Sequence, residues 1–390
     1  MDPDFSRLDA YLDDNGLDGY LLNADGEDSD QRYLSGFTAP DPFVTLYTGE
    51  VHVLVSSLEY GRAKREARAD TVERHADYDG HAKIEEHGLT EGHQLVLAEF
   101  LDAHDAEVVA APEEFPLGTA DGLRAHGVEI NADHEGVIQH IRANKLPEEL
   151  EHIREAQQAN ERSMATAERM IRDADVNGDG ELVYDGELLT SERVKEEIEV
   201  SLLRDGCSLD TTIVACGADA ADPHDRGSGP LRADESIIID IFPRDKESGY
   251  FADMTRTFVK DEPSDTIQDW YDLTLEAQEA ALDALGPGVS GSEVHAAVCD
   301  VYEDAGWPTL RSDPETETGF IHTTGHGVGL DIHEYPRVST AENELEPGHV
   351  VTIEPGLYDP QYGGVRIEDI VVVTEDGYEN FTDYEKTLVV

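Results

Sequence analysis

Four apolar, β-branched runs in this chain are each interrupted by acid, three of them by one carboxylate and the last by two. Asp240 ends Ile237-Ile-Ile-Asp, and Asp253 sits in the run from Tyr250 to Phe258. Glu354 ends Val350-Val-Thr-Ile-Glu, and Glu368 sits in Val365-Arg-Ile-Glu-Asp-Ile-Val-Val. Runs of this kind predict strands. An acid inside one is drawn partly out of water, and an unpaired buried carboxylate costs several kcal/mol. Taken singly, each acid reads as a solvent-facing strand residue, because the chain has 87 Asp and Glu. Taken together, converging acids need a shared cation or protons.

A second constraint is His322-Thr-Thr-Gly-His326-Gly-Val-Gly-Leu-Asp-Ile-His333-Glu334. Gly325, Gly327 and Gly329 oppose a regular helix and let the backbone pass close to a ligand. Imidazole is the commonest protein metal ligand and a usual proton shuttle. The segment is not a zinc helix of the HExxH kind, and it lacks the spacing of a phosphate loop. Alone, it also reads as a glycine-rich turn bearing surface histidines.

Asp240, Asp253, His326, Glu354 and Glu368, in that order, resemble the metal-ligand series of the creatinase/methionine-aminopeptidase-like, or pita-bread, metallopeptidases. The flanks His322-x-x-Gly-His326-Gly-x-Gly-x-x-x-His333-Glu334, Ile353-Glu-Pro-Gly-Leu-Tyr358 and Gly364-Val-Arg-Ile-Glu-Asp369 are most similar to Xaa-Pro dipeptidases (prolidases) and Xaa-Pro aminopeptidases. The resemblance is strong over about 150–390 and weaker over the first 140 or so residues, which look like a creatinase-type N-terminal domain. One stretch departs from the family pattern. Asp240-Ile-Phe-Pro-Arg stands where the family carries Asp-x-Gly, and Asp253 comes two residues later than usual. An even insertion in the hairpin loop Arg244 to Ser248 leaves every side chain on its own face.

The resemblance implies an α+β fold, with a pita-bread catalytic domain over 146–390 after a smaller α/β domain over 1–145. It implies two divalent ions, Mn²⁺ or Co²⁺ before Zn²⁺, as an oxygen-rich ligand set with one histidine suits. Asp253 and Glu368 would bridge them, Asp240 would be terminal on one, and His326 and Glu354 would sit on the other. Glu354 would carry the proton, His333 would stabilise the tetrahedral intermediate, and His224 would meet the substrate from a loop. His322 and Arg366 would assist substrate binding. The substrate would be a small peptide with proline second, and the protein a homodimer. Creatinase-like C–N hydrolysis or lyase chemistry, or a non-catalytic module on the same fold, are the alternatives.

Composition narrows the setting. Twenty-eight Lys and Arg against the 87 acids leave a net charge of −59, which opposes a nucleic-acid partner and an anionic membrane surface. The acids are spread along the chain, as expected of a cytoplasmic protein adapted to molar salt. Three cysteines without CxxC spacing fit a reducing compartment. No apolar run reaches the roughly 18 residues of a membrane span, and no signal peptide is visible.

Local patterns complete the outline. Phe5, Leu8, Tyr11 and Leu12 predict a helix stopped by Gly16. Val44–Thr48 and Val51–Val55 predict a hairpin, and Pro147 is expected to open a long helix. Helices are also expected over Leu95–His104, Ser191–Leu203, Leu273–Leu285 and Ser292–Ala305. Asp173 to Gly180 has the look of a calcium loop, but neither register puts Glu at the twelfth position, so an acidic loop between helices is expected. Cys216 is expected at a strand end in the core. No internal repeat is detected.

Overall fold

A computed structural model describes residues 3–390. The chain divides between Arg142 and Ala143 into two compact units.

The first unit holds a six-stranded mixed sheet. Its strands are β1 (Gly19–Ala24), β2 (Phe43–Tyr47), β3 (Val51–Val55), β4 (Thr71–Arg74), β5 (Val108–Pro112) and β6 (Glu129–Asp133), in the order β4-β3-β2-β1-β5-β6. The expected hairpin is β2–β3, paired antiparallel from Val44↔Leu54 to Tyr47↔Val51. The opening helix spans Ser6–Asn15, and Gly16 ends it in the left-handed region at φ 65°. The helix expected from Leu95 begins earlier, at Leu89, and runs to Ala103.

In the second unit Pro147 is the first residue of the helix Pro147–Arg172. Glu149 Oε2 accepts the Leu146 N–H at 2.6 Å, satisfying a donor just ahead of the first turn. That helix packs with Ser191–Arg204 over an antiparallel sheet of β11 (Ile213–Cys216), β12 (Ile237–Ile241) and β14 (Met254–Phe258). Between the two helices the acidic segment is not a plain loop. It forms a meander of β7 (Asp175–Val176), β8 (Leu182–Tyr184) and β9 (Glu187–Leu188), because Asn177 Oδ1 accepts the N–H groups of Asp179 and Glu181 and closes the turn. Two short strands, β10 (Cys207–Ser208) and β13 (Arg244–Asp245), pair beside it.

The rest of the unit repeats the plan. Helices Asp265–Ala284 and Gly291–Asp304 pack over an antiparallel sheet of β15 (Gly325–Gly327), β16 (Glu334–Val338), β17 (Val350–Ile353), β20 (Asp369–Thr374) and β21 (Gly377–Asn380). The hairpin β18 (Gly356–Asp359)–β19 (Gly363–Arg366) stands beside it. Each half is thus two helices on an antiparallel sheet, a likeness the sequence does not display. The halves are stitched where the Thr257 hydroxyl donates to Arg366 O at 2.8 Å and accepts the Arg366 N–H at 3.0 Å. Fully buried Arg256 adds a second stitch, reaching Asp369 Oδ1 at 2.9 Å and Glu368 O at 2.6 Å. Among the described residues no helix is long and apolar enough to cross a membrane.

Candidate metal centre

The acids do not all lie inside strands as their sequence context suggests. Asp240 is within β12, but Asp253 immediately precedes β14, Glu354 immediately follows β17, and Glu368 lies in the break between β19 and β20. At these ends the ladder is interrupted, so the backbone donors find other partners. Glu354 N donates to Thr324 O at 2.8 Å, and Glu368 N donates to Thr255 O at 3.1 Å in the other half of the unit.

Strand register aims the first pair. Asp240 stands opposite Thr255, and Asp253, two residues before Thr255, shares its face. The longer connection folds on itself: Asp245 Oδ1 accepts the Glu247 and Ser248 N–H groups at 3.1 and 2.7 Å. His326 occupies β15, where its N–H donates to Thr352 Oγ1 at 3.1 Å. The glycine before it is required, because a Cβ on Gly325 would lie 1.9 Å from Thr352 O.

Asp253, His326 and Glu368 are all buried and offer ligand atoms within 4.8 Å of one another. His326 Nδ1 faces Gly327 O at 3.1 Å and so carries the proton, leaving the Nε2 lone pair inward. That lone pair faces Glu354 Oε1 at 3.5 Å and Asp253 Oδ2 at 3.7 Å. Acceptors therefore point at acceptors. Asp253 Oδ1 and Asp240 Oδ1 are buried with no hydrogen-bond partner among the described residues. Such a cluster fits a hard or borderline divalent cation, which would relieve both the repulsion and the orphaned oxygens.

The electrostatics agree. Burial, then the charges of neighbouring carboxylates, hold Asp253 and Glu368 well above the usual carboxylate range. Burial pushes Glu354 up to about 8. Burial, with His333 alongside, lowers His326 to about 3, so its ring is neutral.

Asp240 stands apart from the tight trio. Arg366 Nη2 donates to its Oδ2 at 2.8 Å. Burial opposes the charge of Arg366, but Tyr358, Asp240 and Glu354 more than offset it. Arg366 Nη1 also donates to the Tyr358 hydroxyl at 2.9 Å, and His322 Nε2 lies 3.0 Å from that same oxygen. His322 Nδ1 faces Thr323 O at 2.7 Å, so both ring nitrogens are engaged. Burial, with Arg366 next, drops His322 to about 3.

Sequence reasoning missed the hydroxyls that hold the carboxylates. Thr255 Oγ1 donates to Glu368 Oε2 at 2.8 Å and accepts from Arg366 Nε at 3.2 Å. Thr352 Oγ1 donates to Glu354 Oε1 at 3.2 Å. Their signal was period two: each threonine is two residues from an expected ligand. Tyr358 had no such signal.

A cavity of about 550 Å³ takes in all nine expected site residues: His224, Asp240, Asp253, His322, His326, His333, Glu354, Arg366 and Glu368. His224 and His333 are exposed on its wall, and the His333 ring meets that of His326 edge-on at 4.2 Å. Arg337, opposite His326 in the β15–β16 register, lines it too.

The sequence matches the model of metallopeptidase family M24 over residues 151–375 and that of the creatinase/prolidase N-terminal domain over 5–143. The chain belongs to metallopeptidase family M24. This metallopeptidase is 28% identical to the Xaa-Pro dipeptidase of Lactobacillus delbrueckii subsp. lactis, over 98% of both chains. The M24 chain is also similar to the solved Xaa-Pro dipeptidase from Bacillus anthracis, with TM-score 0.82, 26% identity and 99% of each chain covered. The X-Pro aminopeptidase from Thermotoga maritima is similar at TM-score 0.78 and 25% identity, covering 96% of this chain and 98% of that one. Enzymes of the family are hydrolases that use divalent metals, and the pita-bread fold expected from the sequence is the one observed.

Proposed function

We propose that this cavity hydrolyses the peptide bond between an N-terminal residue and proline. Two divalent ions, Mn²⁺ or Co²⁺ before Zn²⁺, would be held by Asp240, Asp253, His326, Glu354 and Glu368. The observation that carries this reading is the convergence of the acceptor groups of Asp253, His326, Glu354 and Glu368 in one cavity with His224 and His333. Bound there, such ions polarise the scissile carbonyl and lower the pKa of water.

The chain's own groups do the rest. Glu354 receives the proton of the attacking water and returns it to the proline nitrogen, so the amide leaves as an amine. The proline nitrogen has no N–H of its own to donate to the protein, and the one proton that it takes from Glu354 makes it a secondary amine. His333 and His224, exposed on the wall, donate to the carbonyl oxygen as it gains charge. With both nitrogens engaged, His322 serves the substrate indirectly, by fixing Tyr358 and through it Arg366. Arg337 offers a cation to the carboxylate of a dipeptide, which favours the dipeptidase form. A homodimer in the cytoplasm of a high-salt cell belongs to the same reading, supported on the salt side by the net charge of −59.

The test is proline release from Ala-Pro and from a longer Xaa-Pro peptide, in molar KCl with Mn²⁺, beside a chelated control. Metal-dependent cleavage of Ala-Pro alone is expected. Cleavage of the longer peptide makes it an aminopeptidase, and folded, metal-loaded protein that cleaves neither is not a proline peptidase.

A further inference from the structure

Phe242 lines the cavity, just past the end of β12. Being two residues past Asp240, it shares that carboxylate's face. Ile213 pairs with Asp240 at the end of the β11–β12 register, and Thr211 lies just ahead of β11. Ile213 and Thr211 line the cavity as well. Phe242 and Ile213 therefore give the wall beside the acids its apolar side chains. The ring is only partly covered by protein, and no aromatic partner engages it among the described residues.

We propose that Phe242 is a specificity-determining residue that selects apolar side chains at the residue before the scissile bond. The assignment rests on the proline-peptidase reading. Asp240 and Asp253 belong to the β11–β12–β14 side of the cavity, whereas His333 and Arg337 come from the loop and strand after β15. Arg226 also lines the cavity, and Arg366 is paired with Asp240. A zwitterionic dipeptide whose carboxylate meets Arg337 sets its amine end toward Asp253 and the other acids. The side chain nearest the amine then lies against Phe242. An apolar side chain gains there by leaving water, whereas glycine has nothing to bury.

The test compares Leu-Pro with Gly-Pro for the Mn²⁺-loaded enzyme and its Phe242→Ala and Phe242→Leu variants. The ratio of kcat/KM for Leu-Pro over Gly-Pro should fall on the order of 10-fold in Phe242→Ala, through KM, and recover most of that in Phe242→Leu. A ratio unchanged by Phe242→Ala means the ring has a structural role only, and a ratio that rises means it obstructs large side chains; either overturns the assignment. Unmodified, metal-loaded enzyme that cleaves neither dipeptide overturns the proline-peptidase reading itself, and this assignment with it.

Discussion

Arg366 and Asp240 form a buried ion pair at 2.8 Å across the seam between the two halves of the second unit, with side chains only 4% and 13% exposed. Removing one partner of such a pair leaves a charge without compensation, at a cost of about 3–5 kcal/mol. Arg366→Gln should lose stability of that order in urea denaturation. It should also lower kcat/KM about 100-fold, because Asp240 loses its anchor. Arg366→Lys keeps the charge without the fork and should fall in between. Wild-type stability and rate in Arg366→Gln would remove the pair from this account.

Thr255 is fully buried and ties Glu368 to Arg366. A hydrogen bond to a charged group contributes about 1.5–3 kcal/mol. Thr255→Val keeps the shape and deletes the bond, so Mn²⁺ affinity by calorimetry should weaken on the order of 10-fold. Thr255→Ser should retain it. Equal affinity in all three proteins would refute the role.

Metal removal should make stability depend on pH. Glu354 is pushed up to about 8 by burial, and Asp253 and Glu368 move in the same direction. A carboxyl whose folded pKa is raised stabilises the fold below its ordinary value near 4.5, and that stability is lost as pH rises toward about 8. The chelated protein should therefore lose Tm between pH 5 and 8, while the metal-loaded protein loses less. Parallel Tm curves with and without chelator would contradict this.

Salt should stabilise the protein. A net charge of −59 repels itself, and the screening length shrinks from about 10 Å at 0.1 M to about 3 Å at 1 M. Tm should rise steadily in KCl from 0.1 to 2 M. A flat or falling curve would argue against adaptation to high salt.

The helices and strands most legible in the sequence are those with strong periods or caps. Pro147 and Glu149 mark the start of a helix, and Gly16 marks the end of one, through local chemistry alone. Boundaries set by packing were less legible: Asp265–Ala284 begins eight residues before the apolar pattern at Leu273. The run from Val365 to Val373 reads as one strand but is the end of β19 and most of β20, because the break at Ile367 and Glu368 depends on bonds to Pro355 and Thr255.

By itself, the sequence determined which acids and histidines stand in apolar surroundings, because residue type and spacing are local properties. It also determined that the two extra residues before Asp253 are even in number, and so leave the shared face intact. Only the tertiary structure decided that Asp240 is paired with Arg366 while Asp253, His326 and Glu368 close into a trio. It alone directed the Thr255, Thr352 and Tyr358 hydroxyls to their partners and brought Phe242 to the cavity wall. Those relations join residues up to more than a hundred positions apart. They follow from how two sheets meet, which no local pattern encodes.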